Sequence, residues 1–98
     1  MNFQQLNYAI AVSRKGHFGH AADDCDITQA TLSGMIKKLE EEIGFEIFDR
    51  SLHPIASTDK GKEFLKLAED ILELQEEILT INKQQNKLEG SIRLGIIP

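Results

Sequence analysis

The stretch Ile27-Thr28-Gln29-Ala30-Thr31-Leu32-Ser33-Gly34-Met35-Ile36-Lys37-Lys38-Leu39-Glu40-Glu41-Glu42-Ile43-Gly44 spells out a helix with both of its ends. Thr28 can cap the start through its hydroxyl, and Ile27 before it can pack against Leu32 as a hydrophobic staple. Leu32, Ile36, Leu39 and Ile43 follow at steps of four, three and four, which makes one buried stripe. Gly44 ends the helix. The opposite arc holds Ala30, Thr31, Gly34, Lys37, Lys38 and Glu41, with Ser33 at its edge. The first turns of that arc are small and hydroxylated, so the backbone could come close to base edges, and the two lysines are spaced for phosphates. A plain solvated face, with Lys37/Glu41 and Lys38/Glu42 as helix-supporting pairs, accounts for the same residues.

Upstream, residues 3–14 place Phe3, Leu6, Tyr8, Ala9, Ile10 and Val12 on a short amphipathic helix that Lys15 and Gly16 close. Residues 18–25 form a second, Ala-rich helix, with Ala21 and Ala22 small enough for close packing. Two short helices, a tight turn and a third capped helix are the ingredients of a helix-turn-helix, whose last helix enters the major groove. Downstream, Phe45, Ile47 and Phe48 read as a strand, Asp49 to Pro54 as a turn, and Ile55 to Ser57 as a return strand. That hairpin is a wing, with Arg50 and His53 near its tip. Thr58 or Ser57 then caps a new helix, with Asp59 in its first turn where the macrodipole favours an anion.

In this last helix Phe64, Leu67, Ile71, Leu74, Ile78, Ile81, Gln85 and Leu88 alternate steps of three and four, a heptad seam broken only by Gln85. A helix from 59 to 88 would be about 45 Å long, too long to cover its seam with a head of this size. Folding back on its own domain could account for Phe64 to Ile71. The rest predicts a second copy, hence a homodimer. Gly90 ends the helix, and residues 91–98 read as one strand of a further domain. The expected organisation is a mainly α fold: a winged helix-turn-helix head over 1–58, a dimerisation helix over 59–89, and the start of another domain over 90–98.

Charge argues the other way. The chain of 98 residues has a formal net charge of −5. Residues 1–58 carry five Lys/Arg against eight Asp/Glu, whereas a protein held to DNA chiefly by counterion release would be basic. Any DNA function must rest on where the charges sit. Nothing in the sequence is long and apolar enough to span a membrane, no secretory leader is read at the N-terminus, and the single Cys25 fits a reducing cytoplasm. Cys25, His17 and His20 lack the spacing of a closed zinc site. Asp23, Asp24 and Asp26 lack the glycine and terminal Glu of a calcium loop. Cys25 occupies what looks like a core position, where a thiol acts as a small hydrophobe. With no phosphate loop or nucleophile constellation, no enzyme, metal or cofactor is expected. The rival to DNA binding is an acidic coiled-coil interaction module, which explains the charge and the seam but not the capped third helix with its hairpin.

The run Ala21-Ala22, Thr28 to Glu40, Gly44, Phe48, Arg50 and Thr58-Asp59-Lys60-Gly61 resembles the N-terminal domain of LysR-type transcriptional regulators, without gaps over the whole chain. Within that family, His17-Phe18, Ala21-Ala22-Asp23 with Cys25, Thr31-Leu32-Ser33-Gly34 and Gly95-Ile96-Ile97-Pro98 are similar to the peroxide-sensing OxyR branch. The resemblance implies a homodimer on a partly palindromic double-stranded DNA site, tetramers and RNA polymerase contact in a full-length protein, and an activator of the peroxide response. It implies base contacts from Gln29, Ala30, Thr31, Ser33 and Gly34. It implies backbone contacts from Thr28, His17, His20, Lys37, Lys38, Arg50 and His53. The role of Gln29 comes from the resemblance alone, since the helical wheel puts it toward the core side. This chain departs from the family in having Ala30 for the usual Pro, His20 and His53 where basic residues are common, and Ser57 for a large apolar residue.

Overall fold

The computed structural model describes residues 1–82. Four helices and a two-stranded sheet follow in the order α1 (Phe3–Lys15), α2 (Phe18–Asp24), α3 (Gln29–Ile43), β1 (Phe48–Asp49), β2 (Ala56–Ser57) and α4 (Asp59–Leu79). The fold is mainly α with a small hairpin wing, as expected. The single helix expected over 59–89 is interrupted: α4 ends at Leu79, and Thr80 is its C-cap in a turn closed by amide bonds back to Glu76 and Glu77. Gln85, Leu88, Gly90 and the strand read over 91–98 lie outside the described residues.

Each helix begins on a side chain that satisfies free amides. Asn2 caps α1 in a full capping box: its side chain accepts from the Gln5 amide at 2.8 Å, and the Gln5 side chain accepts from the Asn2 amide at 3.1 Å. Thr28 caps α3 and Thr58 caps α4, each through the amide three residues on. Gly16 and Gly44 end α1 and α3 in the left-handed conformation, at φ of 66° and 87°.

The core is one cluster. Leu6, Ala9, Ile10 and Val12 of α1 meet Phe18, Ala21 and Ala22 of α2, Leu32, Ile36 and Leu39 of α3, and Ile47 and Phe48 of the wing. Helix α4 joins it through Gly61, Leu65 and Ala68. The approach there is close: a Cβ on Gly61 would stand 2.0 Å from the Ile47 carbonyl oxygen. So α4 has two apolar faces. The face read from the heptad is the outer one, with Leu67, Leu74 and Ile78, and Ile81 just beyond the end of α4, between 51% and 66% exposed, while Phe64 and Ile71 are half-buried against the head.

Other expectations are corrected as well. The first wing strand is shorter than Phe45–Phe48, because the Ile47 amide donates to the Glu40 carboxylate at 2.8 Å instead of to a strand partner. The ladder is Phe48 opposite Ser57 and Asp49 opposite Ala56. Cys25 is not a core residue. Helix α2 ends at Asp24, Cys25 is its half-buried C-cap, and the chain turns away at Asp26 with φ of 60°. Among the described residues Lys37 and Lys38 form no ion pair with Glu41 or Glu42, and Glu42 instead holds the N-terminal amine at 2.7 Å.

Candidate nucleic-acid interface

Helix α3 presents Gln29, Ala30, Thr31, Gly34, Lys37, Lys38 and Glu41 to solvent, with Ser33 half-buried at the margin. Gln29 is exposed, contrary to the wheel, because it lines a hollow shared with His17 and His20 and does not pack in the core. The Thr28 hydroxyl accepts from the Thr31 amide at 3.1 Å and donates to the Thr31 hydroxyl at 2.8 Å. That leaves the Thr31 proton free to donate outward, so cap and presented donor are one unit. Over Gly34 there is open space, with no heavy atom within 4 Å of where a Cβ would be. A helical Gly in such a place costs about 1 kcal/mol relative to Ala, and nothing inside the fold requires it.

The wing folds back beside this helix. Its base is tied to the α1–α2 corner by the Ile55 amide, which donates to the Gly16 carbonyl at 2.9 Å. Its turn is closed by Asp49, whose carboxylate accepts from the Ser51 amide at 3.0 Å and the Ser51 hydroxyl at 2.6 Å. Those two bonds hold the Asp49 carboxyl below the usual carboxylate range. Between α2, the start of α3 and the wing lies a cavity of about 520 Å³. Its charged and titratable lining is Lys15, His17, His20, Arg50 and His53, and no carboxylate lines it. Lys15 also reaches Asp24 at 3.1 Å, an exposed pair. No acid of the head lines the hollow itself, so a net negative domain still has one basic hollow.

Sequence reasoning missed Glu40, which organises this side of the molecule. It is 7% exposed and the only buried charged side chain among the described residues. Besides the Ile47 amide it accepts from the Phe48 amide at 3.3 Å and pairs with Arg50 Nη1 at 3.0 Å. The Arg50 guanidinium also lies 5.0 Å from the centroid of the Phe18 ring, and its Nη2 is buried without a partner. Arg50 is thus a strut between α3, α2 and the wing, while His53 is the exposed group of the tip. The available signal was Glu40 standing four residues after Ile36 and eight after Leu32, on the buried stripe itself.

His17 and His20 come together. Their rings stack at 4.3 Å between centroids, and His17 caps α2 by accepting from the Gly19 and His20 amides. Cys25 lies apart from the basic hollow. Its thiol is pushed up from its ordinary range by partial burial and then by neighbouring Asp24. Among the described residues no three His, Cys, Asp or Glu side chains gather as metal ligands, and no helix is long and apolar enough to cross a membrane.

Residues 3–62 match the family model described as bacterial regulatory helix-turn-helix protein, lysR family. The chain is 34% identical over its full length to the hydrogen peroxide-inducible genes activator of Haemophilus influenzae, and covers 33% of that relative. It is 33% identical over its full length to the DNA-binding transcriptional dual regulator OxyR of Escherichia coli K12, covering 32% of it. It therefore spans about a third of the length of these curated relatives. The crystal structure of the BenM DNA-binding domain with benA site 1 DNA superposes with a TM-score of 0.82 at 32% identity, over 86% of this chain and 94% of that one. Family model, relatives and solved fold agree: the chain belongs to the lysR family of bacterial regulatory helix-turn-helix proteins.

Proposed function

We propose that the chain is the DNA-binding part of a transcription regulator, with α3 in the major groove and the wing on the adjacent backbone. The observation that carries this is the segregation of charge: the hollow between α2, α3 and the wing is lined by basic and imidazole groups and by no carboxylate, in a head of net negative charge. Gln29, Ala30, Thr31, Ser33 and Gly34 face base edges. Thr28, His17, His20, Lys37, Lys38 and His53 lie toward phosphates, and Arg50 braces the wing from within. The names of the relatives, hydrogen peroxide-inducible genes activator and OxyR, support an activator of the peroxide response, which would work in the cytoplasm where the DNA is. The head of 1–58 would then be the reader, the segment 59–89 that begins with α4 the dimer arm, and the segment from residue 90 onward the start of a sensor. Tetramers and RNA polymerase contact would belong to a longer protein. An acidic coiled-coil module without DNA binding explains the net charge but leaves the basic hollow without a purpose.

The dimer arm is supported by the outer face of α4. Leu67, Leu74 and Ile78 are exposed along it, and Ile81 is exposed just beyond its end. They continue into an apolar groove of about 490 Å³ that Met1, Leu6, Ile43, Phe45, Phe64 and Ile71 help to line. A contiguous apolar surface of this length calls for an occupant, and the 3–4 spacing calls for another helix of the same kind. The test is a mobility shift with DNA from upstream of the gene encoding the chain. Retardation that weakens steeply with salt and outlasts an excess of scrambled DNA is expected. Equal competition by scrambled DNA would remove the sequence-reading role.

A further inference from the structure

His17 holds an unusual place. It is the N-cap of α2, with extended backbone at φ −159° and ψ 125°. Its Nδ1 accepts from the Gly19 amide at 3.0 Å and the His20 amide at 3.2 Å. An imidazole nitrogen accepts only while it carries its lone pair, so the ring proton belongs on Nε2. The ring fits because residue 19 is Gly: a Cβ there would stand 2.9 Å from His17 Cε1 and 3.4 Å from the Gln29 side-chain oxygen. One face of the ring stacks on His20.

We propose that His17 is a positioning residue of the DNA interface, one that works only as a neutral imidazole. This rests on the DNA-binding reading above. In the neutral form the ring caps α2, holds His20 by stacking, and packs beside Gln29 at the start of α3. Protonation of Nδ1 acts against this arrangement in two ways at once. It turns the acceptor of two amides into a donor facing them. It puts a positive charge at the positive end of a helix. The other charged and titratable groups of the hollow are Lys15 at the end of α1, which reaches Asp24, His20 on α2, Arg50, which pairs with Glu40, and His53 on the wing. DNA affinity therefore has an acid limb that belongs to His17.

The test compares wild type, His17→Ser and His17→Ala in the whole chain, binding the upstream DNA at pH 8 and pH 5.5. Serine caps a helix in both conditions, whereas alanine caps in neither. At pH 8 the wild type and His17→Ser should bind alike, with His17→Ala up to about fivefold weaker, the limit reached if the whole cap, about 1 kcal/mol of stability, must be made good when DNA binds. At pH 5.5 His17→Ser should bind up to about fivefold tighter than the wild type, under the same limit. Parallel pH profiles for wild type and His17→Ser would overturn the proposal, as would full affinity of folded His17→Ala at pH 8. A readout without DNA keeps the two readings apart. In the free wild type the Gly19 and His20 amide proton resonances should move together as the pH falls, and resonances that stay put would overturn the capping argument. Absence of DNA binding by the wild type at pH 8 would sink the DNA-binding reading instead.

Discussion

Replacing Glu40 by Ala removes the acceptor of the Ile47 amide, the Phe48 amide and the Arg50 guanidinium together. Ile47 and Phe48 are fully buried at 0% and 1% exposure, so their amides gain no water in exchange. An orphaned buried donor costs about 1–3 kcal/mol. The 2.8 Å bond from Ile47 should weigh more than the 3.3 Å bond from Phe48. Breaking a buried ion pair would add about 3–5 kcal/mol. That full figure does not apply, because the Arg50 side chain is 35% exposed and can turn toward solvent. A total of about 3 kcal/mol results, mostly from the amides. For a domain of this size that is roughly 12–24 °C in melting temperature, compared at one protein concentration because association shifts it. Glu40→Gln keeps its one oxygen for the amides but turns an NH2 donor toward Arg50, which can swing toward solvent, so it should cost about 1 kcal/mol. Urea unfolding followed by circular dichroism measures both. A loss below about 1 kcal/mol for Glu40→Ala, or equal losses for the two variants, would refute the reasoning.

Gly61→Ala should destabilise by about 2 kcal/mol despite better helix propensity, since its Cβ would strike the Ile47 carbonyl at 2.0 Å; thermal melts read this. Ile78→Asp puts a carboxylate on the outer face of α4, where a partner helix would leave it unsolvated. Sedimentation should then show monomers, and a species still dimeric at micromolar concentration would contradict the dimer arm. Cys25, with its thiol raised by partial burial and Asp24, should react slowly with peroxide, because the thiolate is the reacting form. DNA binding should be unmoved by mild peroxide in both the wild type and Cys25→Ser; a peroxide response lost in Cys25→Ser would make it a sensor.

The elements themselves were legible because local chemistry decides them. Thr28 and Thr58 at helix starts, Gly16 and Gly44 at helix ends and the stripe from Leu32 to Leu39 act within a few residues, and each does in the fold what its type suggests. What escaped depends on contacts between elements. Glu40 reads as one more acid in a Glu-Glu-Glu run until the wing returns to it with two amides and Arg50. The inner face of α4 hid because Gly61, Leu65 and Ala68 make a weaker pattern than the heptad beside it, and only the packed wing shows which face meets the core. Cys25 was misplaced by one helical residue, enough to move it from core to cap. The basic hollow could not be read from charge counts, since it gathers side chains from four separate elements.

The central claim is that α3 reads DNA, and the most direct measurement is a set of salt-dependent binding titrations with upstream and scrambled DNA for wild type, Lys37→Ala and Ser33→Leu. Lys37→Ala should weaken both DNAs alike and reduce the salt slope by about 1. Ser33→Leu should bring the two affinities together while the salt slope is kept, since a base-edge contact is lost and no phosphate contact is. If Lys37→Ala changed the preference between the two DNAs and Ser33→Leu left it intact, α3 would not be reading DNA in the orientation described.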